Sequence, residues 1–173
     1  SQHLFKRGLL RWIMTKADMV TADADYILER SRELGRQDAR FERINFGVDT
    51  SKFSPDVAQG TVFDLNQMAG FEAFSQQNFN IVSTRNFYAI YDVSCVLRAM
   101  PEILAVHPEA RLFLAGKGPA EVALRALCEE LGLVDAVSFV GHLDQASMPA
   151  MLAVMDAYVS TATSDAGIAS STA

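Results

Sequence analysis

Cysteine is scarce, basic charge is in the minority, and no long apolar run occurs anywhere in the 173 residues. The two cysteines, Cys95 and Cys128, form no Cys-x-x-Cys pair and lie in apolar helical patterns. They imply no disulfide framework and read as reduced core residues of a cytosolic protein. Fifteen Lys and Arg stand against 21 Asp and Glu, a net charge of −6, so no overall basic field exists to hold nucleic acid by counterion release. No stretch approaches the roughly 20 apolar residues that cross a bilayer. Ser1 to Phe5 shows neither an initiator Met nor a signal pattern, so the chain reads as an internal piece of a longer, cytoplasmic protein. What is present is a globular composition, 50% hydrophobic and 21% charged.

Residues 3–16 place Leu4, Phe5, Leu9, Leu10, Trp12 and Ile13 near one helical face, with Lys6, Arg7, Arg11 and Lys16 elsewhere. This basic amphipathic helix reads as an internal packing element; a peripheral membrane contact is the other reading. A short β-prone run follows at 18–22. Next comes a helix from Asp25 to Leu34, with Asp23 or Asp25 as N-cap and Gly35 as its stop, then a strand at 42–46. From residue 54 to 79 the periodicity fades around Pro55, Gly60 and Gly70, which marks a connector and a domain boundary. Strands at 80–84, 111–115, 136–140 and 156–160 then alternate with helices at 92–104, 119–131 and 146–154. This alternation predicts an α/β fold, a parallel sheet with helices on both faces and ligands at the carboxyl ends of its strands. Val93, Val96, Leu97, Met100 and Leu104, and then Leu124, Leu127, Cys128 and Leu131, form the buried helical stripes.

That topology directs attention to four loops. The first holds Arg85, one residue past a buried strand, where it is either a surface salt-bridge partner or a fork for phosphate oxygens. The second, Gly116-Lys117-Gly118-Pro119, is either a tight turn or an anion cradle ahead of a helix. It fits neither the dinucleotide fingerprint, whose third glycine is replaced by Glu121, nor a Walker loop, since Gly118 follows the Lys. The third loop carries Gly141 and His142, a candidate donor to a ligand. The fourth contains Ser164, Asp165 and Gly167, which could open a helix N-terminus aimed at a ligand or simply cap it. No Lys or Arg follows Arg125, so an anionic ligand would depend on Arg85, Lys117 and main-chain amides.

Other chemistries lack their residues. The histidines at 3, 107 and 142 have no metal-ligand spacing, no His-Glu-x-x-His occurs, and no Gly-x-Ser-x-Gly elbow is present. The pair Asp23-Ala24-Asp25 is of a type that holds a divalent metal on a diphosphate, but at a helix start acids are favoured anyway. No metal site is assigned.

Ile44-Asn45-Phe46-Gly47-Val48-Asp49-Thr50-Ser51-Lys52-Phe53-Ser54-Pro55 resembles the hinge segment N-G-V-D-x-x-x-F-x-P of the family 4 glycosyltransferases, retaining enzymes of the GT-B fold. The runs 81–85, 110–119, 137–142 and 155–160 look like successive strand ends of that family's nucleotide-sugar-binding domain, in order. The resemblance implies an internal fragment, truncated at both ends. Residues 1–50 would be the tail of an acceptor-binding domain with the hinge, 51–79 a connector, and 80–173 an incomplete Rossmann-like donor domain. It implies a donor diphosphate held by Arg85, with Tyr91 standing near an expected lysine and Lys117 proposed as the second cation. Asp165 stands in for the first of two family acids, the amides of Gly167 and Ile168 join the diphosphate site, and base contacts fall near Gly141 to Leu143. The implied activity is a metal-independent, retaining transfer of a hexosyl group from a nucleotide-diphosphate sugar, a substrate rather than a cofactor, to a carbohydrate or lipid-linked acceptor. A non-catalytic nucleotide-sugar-binding module and a GT-B-fold nucleotide-sugar epimerase are the alternatives.

Overall fold

The computed structural model describes residues 2–35, 38–55 and 69–163, with side chains from residue 6 onward. Two compact units divide the chain, one running up to Gly47 and one comprising Val48–Thr163.

The first unit runs α1 (Gln2–Lys16), β1 (Met19–Ala22), α2 (Asp25–Leu34), β2 (Arg40–Arg43). The two strands pair in parallel, Met19 opposite Arg40 and Ala22 opposite Arg43, with α2 as the crossover that parallel pairing requires. Leu28 of α2 is buried, and the Arg32 guanidinium lies over the Phe41 ring. Two expectations change here. The cap of α2 is Ala24, in extended backbone, because Asp25 already belongs to the helix and its carboxylate pairs with Arg43 at 2.9 Å. The second strand begins two residues and ends three residues earlier than 42–46. Its ladder with β1 ends where the Ile44 amide donates to the Ala22 carbonyl, and Ile44 and Phe46 are 55% and 79% exposed. Leu9, Leu10, Trp12 and Ile13 on α1 are likewise exposed. No helix among the described residues is long and apolar enough to cross a membrane.

The second unit runs β3 (Phe79–Ser83), α3 (Val93–Val106), β4 (Ala110–Leu114), α4 (Glu121–Glu130), β5 (Val137–Phe139), α5 (Met148–Ala153), β6 (Ala157–Tyr158), with a single 3-10 turn at Ala89–Tyr91 leading into α3. Its strands are all parallel in the order β5-β4-β3-β6. Side chains alternate across the sheet as strand geometry demands. Ile81, Leu112 and Leu114 face Val96, Leu97 and Met100 of α3 and Leu124 and Leu127 of α4. Val82, Phe113 and Ala115 face Met151 of α5 together with Leu143 and Phe71. Helices therefore cover both faces, as the sequence pattern predicts. Asp156 fastens β6 to β3: its carboxylate accepts the Asn80 amide at 2.7 Å and its own amide donates to the Asn80 carbonyl.

Two further readings are refined. Phe71, in the stretch read as connector, is fully buried and stacks on Phe113 with centroids 5.1 Å apart, so this segment supplies core. Of the two cysteines only Cys128 is buried; Cys95 is exposed, because it points away from the Val93, Val96 and Met100 face of α3.

Candidate functional site

The strand order contains a reversal. From β3 the chain steps outward through β4 to β5, then returns so that β6 pairs with the opposite edge of β3. The crevice outside the carboxyl ends of β3 and β6 is the switch point at which open parallel sheets bind ligands. Arg85, two residues past β3, occupies it. Its Nε donates to the Ser160 hydroxyl, two residues past β6, at 2.9 Å, and its guanidinium lies 5.4 Å from the centre of the Tyr91 ring. A half-buried cation thus bridges the loops that leave the two paired strands.

Around it the loops are tied to one another. The Thr84 hydroxyl meets the Tyr158 hydroxyl at 3.0 Å. The Thr161 hydroxyl lies 3.1 Å from the Tyr91 carbonyl and 2.8 Å from the Asp92 carbonyl, sharing its proton between them. Thr163 donates to the Ile90 carbonyl through both its amide and its hydroxyl. Asp92 holds left-handed backbone (φ 39°), uncommon for a residue with a side chain, and turns the chain from the 3-10 turn into α3.

The loop after β4 is zipped to the loop after β3. The Phe87 amide donates to the Lys117 carbonyl, the Ala120 amide to the Phe87 carbonyl, and the Lys117 amide to Asn86 Oδ1 at 3.3 Å. This pairing explains the two glycines. A β-carbon at Gly116 would collide with the Arg85 carbonyl, and one at Gly118 would strike the Phe87 main chain. Both are small because two backbones meet there, a cause separate from either a tight turn or an anion cradle. The Lys117 amide is committed to Asn86; its side chain is exposed and passes over Gly141, its Cε 3.5 Å from where a β-carbon would stand. Gly141 has φ +80°, a conformation that favours glycine.

His142 is exposed beside this turn. Leu143 points inward into the core beside Phe71, Phe113 and Met151, so only its main chain can serve a ligand. Asp144 receives the Ser147 amide at 2.7 Å at the start of α5, and that bond, with the Ser147 hydroxyl next, lowers its carboxyl pKa; His142 contributes a smaller charge effect. Ser164, Asp165, Gly167 and Ile168 lie outside the described residues. The structure therefore gathers Arg85, Lys117, Gly116, Gly118, His142 and the Leu143 main chain onto loops at the carboxyl edge of one sheet. Sequence reasoning missed Ser160, Thr161 and Asn86. Hydroxyls and amides at strand ends become informative only once the strand order is known.

A family model for glycosyl transferases group 1 matches residues 68–171. The chain belongs to this family. It is 27% identical over 161 residues to a GDP-mannose-dependent monoacylated α-(1-6)-phosphatidylinositol monomannoside mannosyltransferase of Corynebacterium glutamicum, covering 93% of this chain and 41% of that protein. A GDP-mannose-dependent α-(1-6)-phosphatidylinositol monomannoside mannosyltransferase of Mycobacterium tuberculosis is 27% identical over 152 residues, covering 88% of this chain and 38% of that one. This group 1 chain thus spans about two fifths of the length of the curated relatives it matches. Among solved structures, Anabaena HepE in complex with UDP-glucose superposes with a TM-score of 0.70 at 19% identity, covering 95% of this chain and 44% of that one. Sucrose-phosphate synthase from Thermosynechococcus elongatus gives a TM-score of 0.66 at 18% identity, covering 89% and 37%. The fold is that of GT-B glycosyltransferases.

Proposed function

We propose that this chain supplies the donor-binding part of a retaining glycosyltransferase, which moves a hexosyl group from a nucleotide-diphosphate sugar to an acceptor hydroxyl. The single observation that carries the reading is Arg85 bonded to Ser160 across the β3–β6 switch point, a held cation at the kind of place where open parallel sheets bind ligands. Lys117, reaching over Gly141 from the neighbouring loop, is the second cation for the diphosphate. The relatives point to GDP-mannose as the first donor to try and to a phosphatidylinositol mannoside, a lipid-linked carbohydrate, as the first acceptor.

The chemistry follows from charge. As the glycosidic bond breaks, the diphosphate gains negative charge, and preorganised cations lower that barrier more than they strengthen ground-state binding. The leaving phosphate, held on the same face as the departing bond, takes the proton of the incoming acceptor hydroxyl. Attack from that face retains configuration. The reading assigns diphosphate binding to side-chain cations without a metal ion, and Asp25 of the Asp-x-Asp pair is engaged with Arg43 instead. Asp165, Ser164, Gly167 and Ile168 complete the proposed donor site, with His142 and the Leu143 main chain toward the base.

The test is transfer by the full-length protein from labelled GDP-mannose and UDP-glucose to phosphatidylinositol mannosides, with the anomeric configuration of the product read by NMR. An α-linked product from an α-linked donor is expected. An inverted product overturns the retaining mechanism, and absence of both transfer and nucleotide-sugar binding overturns the reading as a whole.

A further inference from the structure

We propose that Tyr91 and Ser160 are positioning residues that fix the Arg85 guanidinium for the departing diphosphate, a role that rests on the transferase reading above. A guanidinium is planar with its donors in a fixed fork, so a bond to its Nε together with an aromatic ring beside its central carbon restricts both where it points and how far it can swing. Arg85 has both constraints. The Ser160 hydroxyl takes its Nε edge at 2.9 Å, and the Tyr91 ring stands 5.4 Å from its central carbon.

Tyr91 is itself held at several points. Its side chain packs against the core cluster of α3, its amide donates to the Tyr88 carbonyl at 2.9 Å, and its carbonyl receives the Thr161 hydroxyl. The left-handed Asp92 that follows is fastened by the same hydroxyl and, through its carboxylate, by Ser94 at 2.7 Å. The two positioning groups come from opposite sides of the switch point, Tyr91 from the loop after β3 and Ser160 from the loop after β6. Their joint grip therefore ties the orientation of the cation to the pairing of those two strands. Because the diphosphate gains charge only as the bond breaks, misdirecting Arg85 acts on the chemical step more than on donor binding.

The experiment is a pair of double-mutant cycles on the full-length protein, using the donor that the transfer assay identifies. Tyr91→Leu is expected to lower kcat about 10- to 100-fold while the donor KM stays within about three-fold, and Tyr91→Phe, which keeps the ring, restores most of the rate. Combined with Arg85→Ala, neither Tyr91→Leu nor Ser160→Ala lowers kcat further, since each acts through the missing guanidinium. Losses that add overturn the proposal, as does a fall in kcat shared equally by Phe and Leu at position 91. If Tyr91→Leu does not fold, the Ser160→Ala cycle decides alone, additivity there overturning the proposal. A wild-type protein that transfers no sugar overturns the transferase reading; active wild type with additive cycles overturns only the positioning role.

Discussion

Gly118 lies so close to the main chain of Phe87 that a β-carbon there would fall 2.6 Å from the Phe87 carbonyl oxygen and 2.7 Å from its carbonyl carbon. The opposing atoms are backbone, pinned by bonds from the Phe87 amide to Lys117 and from the Ala120 amide back to Phe87, so they cannot rotate aside as a side chain would. Gly118→Ala is therefore expected to destabilise the protein by about 1 to 3 kcal/mol, the cost of overpacking. Gly8, inside α1 with open space for 4 Å around the place a β-carbon would take, is the control: Gly8→Ala should stabilise by roughly 0.5 to 1 kcal/mol through helix propensity alone. Urea unfolding of both variants checks the pair. A neutral Gly118→Ala shows that the two loops are not held in register.

Arg85→Ala in the full-length protein is expected to remove roughly 2 to 4 kcal/mol of transition-state stabilisation, read as a fall in kcat/KM. Arg85→Lys should recover little of it. A lysine has neither the guanidinium carbon that lies over the Tyr91 ring nor an Nε–H for Ser160, so charge is kept while both constraints are lost. Activity of Arg85→Ala within a few-fold of wild type contradicts a diphosphate role for this residue.

Much of this arrangement is legible in the sequence, and the limits have physical causes. The two central strands of the second unit, β3 and β4, announce themselves because both of their faces are buried. Ile81 and Val82, like Leu112 and Phe113, form continuous apolar runs whose only good placement is a covered parallel sheet. Arg85 follows from that placement by counting past the strand end. The partner strand is harder. That β6 lies beside β3, and so brings Ser160 to Arg85, depends on which sheet edge the last crossover reaches, and no local pattern encodes it. Gly116 and Gly118 attract attention as a loop motif, yet their cause is the backbone of residues 85–87, some thirty positions away. The strand expected at 42–46 is displaced because strand limits follow the ladder, whose last pair is Ala22 with Arg43, and Ile44 and Phe46 beyond it are exposed.

The two thiols should react at very different rates. Cys128 is buried on α4, and burial pushes its thiol pKa upward, with Glu129 adding to the effect, so little thiolate exists near neutral pH. Cys95 is exposed on α3. Titration with a disulfide reagent at pH 8 should label one thiol promptly and the second only on unfolding. Mass spectrometry should place the first label on Cys95. Prompt labelling of both would mean that α4 does not shield Cys128 against the sheet.

Acid should loosen α5 through Asp144. The amide and hydroxyl of Ser147 bond its carboxylate at the helix start and hold its pKa below the ordinary aspartate value in the folded state. A depressed folded pKa means that the unfolded chain binds the proton more readily. The stabilising contribution is thus fully present above the unfolded pKa of about 3.9 and is lost as pH falls through the folded value. Asp144→Asn keeps an acceptor for the Ser147 amide but removes the titration, so its stability relative to wild type should rise as pH drops below about 4. Carboxyl chemical shifts of Asp144 followed by NMR between pH 2 and 6 give the direct check, since a folded value at or above the ordinary one means that Ser147 does not hold the ionised form.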